Sequence, residues 1–251
     1  MTSPRLVAFD LDDTLAPSKS PVEPRMAELL VRLLRKVPVA VISGGAFPQF
    51  QMQVVDHLGT ASPEELGRLH LLPTCGTQYY TYDGADWRQV YAETLSDDEA
   101  SAALAAVEQQ ARALGLWGSE TWGPILENRG SQITFSALGQ SAPVEAKAAW
   151  DPTGEKKESL RAAVAALLPD LEVRSGGSTS VDITRKGIDK AYGMRRLVEV
   201  TGIPAPEMLF VGDRLDEGGN DFPVIAVGVQ THAVEGWEDT AALLERLIPT
   251  L

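Results

Sequence analysis

Leu6-Val7-Ala8-Phe9-Asp10-Leu11-Asp12-Asp13-Thr14 is the stretch from which the fold can be read. Four consecutive apolar residues, entered from Arg5 and closed by acids, suit a strand buried on both faces, as in a parallel sheet. Outward from it, Pro24 to Lys36 carries Met26, Leu29, Leu30, Leu33 and Leu34 at helical spacing. Val37 to Ile42 is a second apolar strand, stopped by Ser43-Gly44-Gly45. A helix is expected over Ala46 to Leu58, with Pro48 in its first turn. Strand, helix, strand and helix at this spacing predict a parallel α/β unit.

The same texture returns near the other end. Ile188 to Val200 has a helical pattern, Met208-Leu209-Phe210-Val211 reads as a buried strand ending at Gly212-Asp213, Val224 to Val229 as a strand, and Glu238 to Leu247 as a closing helix. The middle differs. Tyr79 to Tyr82 and Trp87 to Tyr91 flank Asp83-Gly84 as a hairpin. Ser96-Asp97-Asp98-Glu99 is a capping box opening an Ala-rich helix to about Leu114. Short strands are expected at Ile125–Glu127, Gln132–Phe135, Leu171–Arg174 and Thr179–Ile183, with a helix over Lys156–Leu168. The simplest organisation is an α/β core from residues 1–82 and 186–251, with an α+β domain inserted at 83–185.

The 251 residues carry 22 Lys+Arg against 35 Asp+Glu, a net charge of −13. A nucleic-acid surface needs clustered positive charge to displace counterions, and no run of Lys or Arg stands out; an anionic membrane is disfavoured on the same ground. Cys75 is the single cysteine, which excludes an internal disulfide framework and a Cys-based metal cluster. His57, His70 and His232 are not closely spaced, which argues against a His-rich zinc site. The apolar run before Asp10 is too short for a signal sequence or a membrane span, and the expected location is cytoplasmic.

Three of the four chemistry-bearing positions fall at predicted strand ends, where open parallel sheets bind ligands. Asp10 and Asp12, two apart on extended backbone, face one side. Two such carboxylates repel, so one protonates or a cation joins them, and a hard dication such as Mg²⁺ prefers oxygen ligands. The plain alternative is a pair of solvated acids. Asp213 and Asp221 add carboxylates beyond a second strand; they serve either an oxygen site or as caps and turn acids around Gly212 and Gly218-Gly219. Ser43 with the amides of Gly44-Gly45 is a phosphate cradle or a simple N-cap. Lys190 opens a helix, against the dipole preference, which makes sense if an anion is held there; otherwise it is a solvated lysine.

Together these residues resemble the haloacid-dehalogenase (HAD) superfamily, with Asp10-Leu11-Asp12-Asp13-Thr14 as first motif, Ser43 as second, Lys190 as third, and Gly212-Asp213 with Asn220-Asp221 as fourth. The resemblance implies a Rossmann-like parallel-sheet core with an α+β cap inserted between the second and third motifs. That branch contains sugar phosphatases and the eukaryotic-type phosphomannomutases. Glu217-Gly218-Gly219-Asn220-Asp221 resembles the mutases' extended fourth motif, Gly176 to Asp182 their sugar-contacting cap segment, and Glu127-Asn128-Arg129 with Leu138-Gly139 their cap strand pair. Two departures concern the cap arginines that grip phosphate in the mutases: Trp122 and Gln140 stand at those places, and arginine's fork suits that task. A third is Asp13, where the usual first motif has Gly.

The resemblance implies a Mg²⁺-dependent phosphatase of a small phosphorylated metabolite, a sugar phosphate. Asp10 would form an aspartyl-phosphate, and Asp12 would act as general acid and base. Mg²⁺ would bind Asp10, the Asp12 carbonyl and Asp213, with Asp221 in support. Ser43, Gly44 and Lys190 would hold the phosphate oxygens. Arg129, Ser180 and Asp182 are the cap's candidates for substrate contact. The resembling mutases pair through their caps, which raises a homodimer for this chain. The rivals are a phosphosugar mutase, in which Asp12 returns the phosphate to a sugar, and a catalytically silent binding domain on the same fold.

Overall fold

The computed structural model describes residues 3–251. The chain divides into two compact units, one formed by Met1–Ala92 with Asp189–Leu251 and the other by Glu93–Ile188.

In the first unit, β1 (Leu6–Phe9) leads through the acidic loop to α1 (Pro24–Leu34), then β2 (Val39–Ile42), α2 (Phe47–Gln53), α3 (Pro63–Leu66), β3 (Leu69–Leu72), β4 (Gln78–Tyr82) and β5 (Trp87–Ala92). The second unit contains α4 (Asp97–Ala113), β6 (Leu126–Asn128), β7 (Gln132–Ser136), α5 (Val144–Trp150), α6 (Glu155–Leu167), β8 (Leu171–Ser175) and β9 (Ser180–Arg185). The chain then returns through α7 (Lys190–Thr201), β10 (Met208–Gly212), β11 (Gln230–Ala233) and α8 (Trp237–Leu247).

The main sheet has the order β11-β10-β1-β2-β3-β4-β5. Its first five strands are mutually parallel, and β4 and β5 add an antiparallel edge. All four residues of β1 are buried, as the apolar run requires. Val7 and Phe9 pack into one core with the apolar faces of α1 and α8, whereas Leu6 and Ala8 pack into the other with Met194 and Leu197 of α7. Alternation along a strand thus feeds both helical layers, which is why β1 shows no polar positions. The α/β expectation is met.

The second unit is a four-stranded antiparallel sheet, β6-β7-β9-β8, whose Ile133, Phe135, Val181 and Ile183 pack with Ala103, Val107, Leu160 and Val164 of α4 and α6. The capping box forms as expected: Ser96 accepts from the Glu99 amide and the Glu99 carboxylate accepts from the Ser96 amide.

Three expectations are corrected. The expected division at 83 lies ahead of the observed one at Glu93, because β5 pairs along its length with β4 and so belongs to the main sheet; the return falls at Asp189 in place of 186. The strand expected over Val224–Val229 is a 3-10 helix over Phe222–Val227, and the strand starts at Gln230. Pro223 stands in the first turn of that helix and Gly228 ends it in the left-handed region, so the apolar run is wound into a turn whose Val224 alone is fully buried. The long helix expected over Ala46–Leu58 stops at Gln53 and continues as a 3-10 turn over Val55–His57. Among the described residues no helix is long and apolar enough to cross a membrane.

Candidate active site

The parallel strands carry their acids to one end of the first unit's sheet. Asp10 follows β1, Ser43 follows β2 and Asp213 follows β10, and β1 lies between β2 and β10. This is where the connections leave the sheet in opposite directions, the place where open α/β sheets bind ligands.

Lys190 ties the group together. Its Nζ lies 2.6 Å from Asp10 Oδ1 and 2.5 Å from Asp221 Oδ1, with only 2% of its side chain exposed. Asp10 is 4% exposed and Asp221 fully buried. Asp10, Asp213 and Asp221 each offer a carboxylate oxygen within 4.8 Å of the others. Asp221 is anchored further by the Arg214 amide at 3.1 Å, and Asp213 accepts from Thr14 Oγ1 at 3.3 Å. Gly212 makes this possible, since a Cβ there would collide with the Asp221 carboxylate. Neither plain reading holds here: Asp221 is no solvent-facing cap, and Lys190 is no solvated lysine.

The electrostatics follow from three acids and one cation in a desolvated place. Burial pushes the Asp10 carboxyl up; Lys190 opposes this, while Asp221 and Asp213 add repulsion. Asp213 is raised by burial and by Asp221. For Lys190, burial alone would pull the ammonium down, but the charges and hydrogen bonds of Asp10 and Asp221 outweigh it and hold the proton tightly. Three carboxylates stand against one ammonium, which leaves the group with an excess of negative charge. The all-oxygen donor set of Asp10, Asp213 and Asp221, with its excess negative charge, fits a hard dication.

Ser43 is 6% exposed, and its Oγ accepts from the Gly45 amide at 3.2 Å. The loop is held from behind by Thr74 and Cys75, whose amides donate to the Gly45 and Ser43 carbonyls at 3.0 and 2.9 Å. Both residues sit at positive φ, 49° and 55°, a conformation that costs of order 1–3 kcal/mol each and persists only where the surroundings impose it. Gly44 is half-buried within this loop.

The Asp12 carboxylate does not join the metal-competent trio. Its Oδ1 accepts from the Lys19 amide at 2.7 Å and from Gln53 Nε2 at 3.1 Å, and its Oδ2 accepts from Gln49 Nε2 at 3.1 Å. Asp13 adopts φ 60°, which explains why glycine suits that place, and its Oδ1 accepts from the Ser18 amide at 3.0 Å. Sequence reasoning missed Gln49 and Gln53. The signal available was two glutamines spaced i, i+4 directly after the Ser43-Gly44-Gly45 loop.

Arg129, Ser180 and Asp182 lie in the second unit. Arg129 pairs with Glu127 at 2.6 Å. Asp182 accepts from Thr134 Oγ1 at 2.7 Å and Gln132 Nε2 at 2.9 Å. Ser180 Oγ lies 3.0 Å from Ser136 Oγ, which in turn accepts from Gln140 Nε2 at 2.7 Å. The first-motif and third-motif residues are thus together in one unit, and the three cap candidates are together in the other.

The fold and the strand-end site define the class. Solved structures agree: a haloacid dehalogenase-like hydrolase from Bacteroides thetaiotaomicron matches with a TM-score of 0.64 at 16% identity, over 97% of this chain and 99% of that one. An IMP-bound IMP-nucleotidase from Plasmodium falciparum matches with a TM-score of 0.71 at 16% identity, over 99% of this chain and 69% of that one. The chain shares the fold of these structures. More narrowly, the chain belongs to the eukaryotic phosphomannomutase family, whose model matches residues 26–250. A probable phosphomannomutase from Caenorhabditis elegans is 26% identical over 267 aligned residues, covering all of both chains.

Proposed function

We propose that the chain is a phosphoryl-transfer enzyme for hexose phosphates, mannose phosphates first among them, and that it moves phosphate between hydroxyls of the sugar as a mutase. The observation that carries phosphoryl transfer is the buried Asp10 carboxylate, 2.6 Å from Lys190 and within 4.8 Å of Asp213 and Asp221. Family membership across residues 26–250 favours a sugar over water as the acceptor.

In the first step an Asp10 carboxylate oxygen attacks phosphorus, the bond to the sugar oxygen breaks, and Asp12 gives that oxygen its proton. In the second step the acceptor hydroxyl attacks the aspartyl-phosphate, its proton passes to Asp12, and Asp10 is regenerated. Lys190 keeps Asp10 oriented and supplies positive charge where charge is redistributed on the phosphate oxygens. The Ser43 hydroxyl and the Gly44 amide hold the same oxygens from the loop after β2. A dication bound by the carboxylates supplies the charge that offsets repulsion between the Asp10 carboxylate and an anionic substrate. Arg129, Ser180 and Asp182 are assigned to substrate contact.

A second reading, hydrolysis, is favoured by Trp122 and Gln140 standing where two phosphate-gripping arginines stand in the mutases. Without those forks, retention of a distal phosphate weakens. The test is incubation of a hexose 1-phosphate with Mg²⁺ and a hexose bisphosphate primer. Interconversion with the 6-phosphate supports the mutase. Stoichiometric release of inorganic phosphate without interconversion supports the phosphatase, and neither product refutes both.

A further inference from the structure

Asp12 is held by more than the reaction alone requires. Gln49 and Gln53 stand one turn apart on α2, so both side chains project to the same face. Both end their amide nitrogens on the Asp12 carboxylate, one on each oxygen. The orientation of Gln53 is fixed from a second side: the same Nε2 donates to the Ser20 carbonyl at 2.8 Å, and the residue is fully buried. A reversed amide would set its oxygen against two acceptors. Its Oε1 is left buried with no hydrogen-bond partner among the described residues, a desolvation cost accepted to keep the nitrogen on Asp12. Gln49 depends on Gly45, because a Cβ at that position would run into the Gln49 side-chain amide.

The two oxygens of Asp12 are unequally loaded. Among the described residues, Oδ1 takes two donors, the Lys19 amide and Gln53, and Oδ2 takes one, Gln49. We infer that Gln49 and Gln53 are positioning residues that lock the Asp12 carboxyl in one rotamer and present Oδ2 as the oxygen that exchanges the proton. This rests on the phosphoryl-transfer reading above and names what makes its acid–base step efficient. The proton on Oδ2 goes to the departing sugar oxygen as the P–O bond breaks. The proton of the acceptor hydroxyl returns to the same atom.

The test uses the full chain with Mg²⁺ and two substrates. A hexose 6-phosphate leaves as a basic alkoxide that needs a proton. 4-Nitrophenyl phosphate leaves as a weakly basic phenoxide that needs little help. General acid catalysis is worth roughly 10²–10⁴-fold, so partial misorientation in Gln49→Met and Gln53→Met is expected to lower the sugar-to-aryl ratio of kcat/KM, which reports the first transfer alone, by about tenfold or more. Gln49→Met, at a half-buried position, keeps the test readable if Gln53→Met does not fold. Both substrates slowed by one common factor would make the glutamines mere structural stitches and overturn the inference. An unchanged ratio would overturn it equally. Wild-type protein inert toward both substrates would remove the reading beneath it, and the inference with it.

Discussion

Replacing Lys190 with methionine keeps the length of the side chain and removes its charge. In the first unit this leaves Asp10 and Asp221 facing the space that Nζ occupied, 2.6 and 2.5 Å away, with side-chain exposures of 6% and 0%. Breaking a buried ion pair by removing one partner typically costs 3–5 kcal/mol, because the survivor's charge stays desolvated. Here two carboxylates survive, so a loss of about 3–5 kcal/mol is expected at neutral pH without added metal. The pH dependence has a definite sign. Lys190 is raised in the folded state, so its contribution is complete at neutral pH and is lost only above the ordinary lysine range. Asp10 is raised, so the folded state binds its proton more tightly and stability falls as pH rises from the ordinary carboxylate range through the raised value. Removing Lys190 takes away the group that lowers Asp10, so the carboxyl rises further in the variant, whose deficit shrinks at pH 5 and grows toward pH 8. Urea unfolding read through hydrogen exchange at the β1 and β10 amides measures the first unit separately from the second. A deficit below about 1 kcal/mol at pH 8, or one that does not change with pH, would refute the buried triad.

The remaining expectations concern other parts of the molecule. His70, against the Tyr79 hydroxyl at 2.7 Å, is lowered by burial to about 4; stability should fall by about 1–3 kcal/mol as pH drops from 6.5 to 4, and His70→Gln should flatten that slope in a pH series of urea titrations. Gly212→Ala should drive the Asp221 carboxylate off its place, costing about 1–3 kcal/mol and most of the turnover, read by denaturation and phosphate transfer together. Arg129→Ala should raise KM for a hexose phosphate by tenfold or more if its guanidinium contacts substrate, since a hydrogen bond to a charged group is worth about 1.5–3 kcal/mol. Chelation of divalent cations should abolish transfer, and Mg²⁺ should restore it.

What the sequence made legible was the part where side-chain type and strand end coincide. Leu6 to Phe9 closed by Asp10, and Met208 to Val211 closed by Gly212-Asp213, could be read because parallel strands are apolar throughout and end abruptly in polar residues. Lys190 could be found because a cation at a helix start is out of place until its two carboxylates are known. β3 escaped notice: Leu69-His70-Leu71-Leu72 is four residues long and contains a histidine, whose burial follows from Tyr79 on the neighbouring strand. Val224 to Val229 misled because apolar runs carry no periodicity, and Pro223 and Gly228 decide for a turn. Gln49 and Gln53 look like a solvated helix face until Asp12 is folded beside them. The positive φ at Thr74 and Cys75, which braces Ser43, has no signature in residue type at all.

The central claim is that the Asp10 carboxylate itself receives the phosphoryl group. Many turnovers with a hexose phosphate in heavy-oxygen water, followed by proteolysis and mass spectrometry of the peptide spanning Asp10, label that peptide only when water attacks the acyl carbon, because attack at phosphorus puts the heavy oxygen in phosphate and returns the Asp10 oxygen unlabelled. Rapid acid quenching in the presence of Mg²⁺ removes that dependence by trapping the acyl-phosphate before the second step. The account predicts one phosphoryl group on the peptide that contains Asp10, absent in Asp10→Asn. A phosphoryl group on a different residue, or full turnover by a folded Asp10→Asn protein, would contradict it.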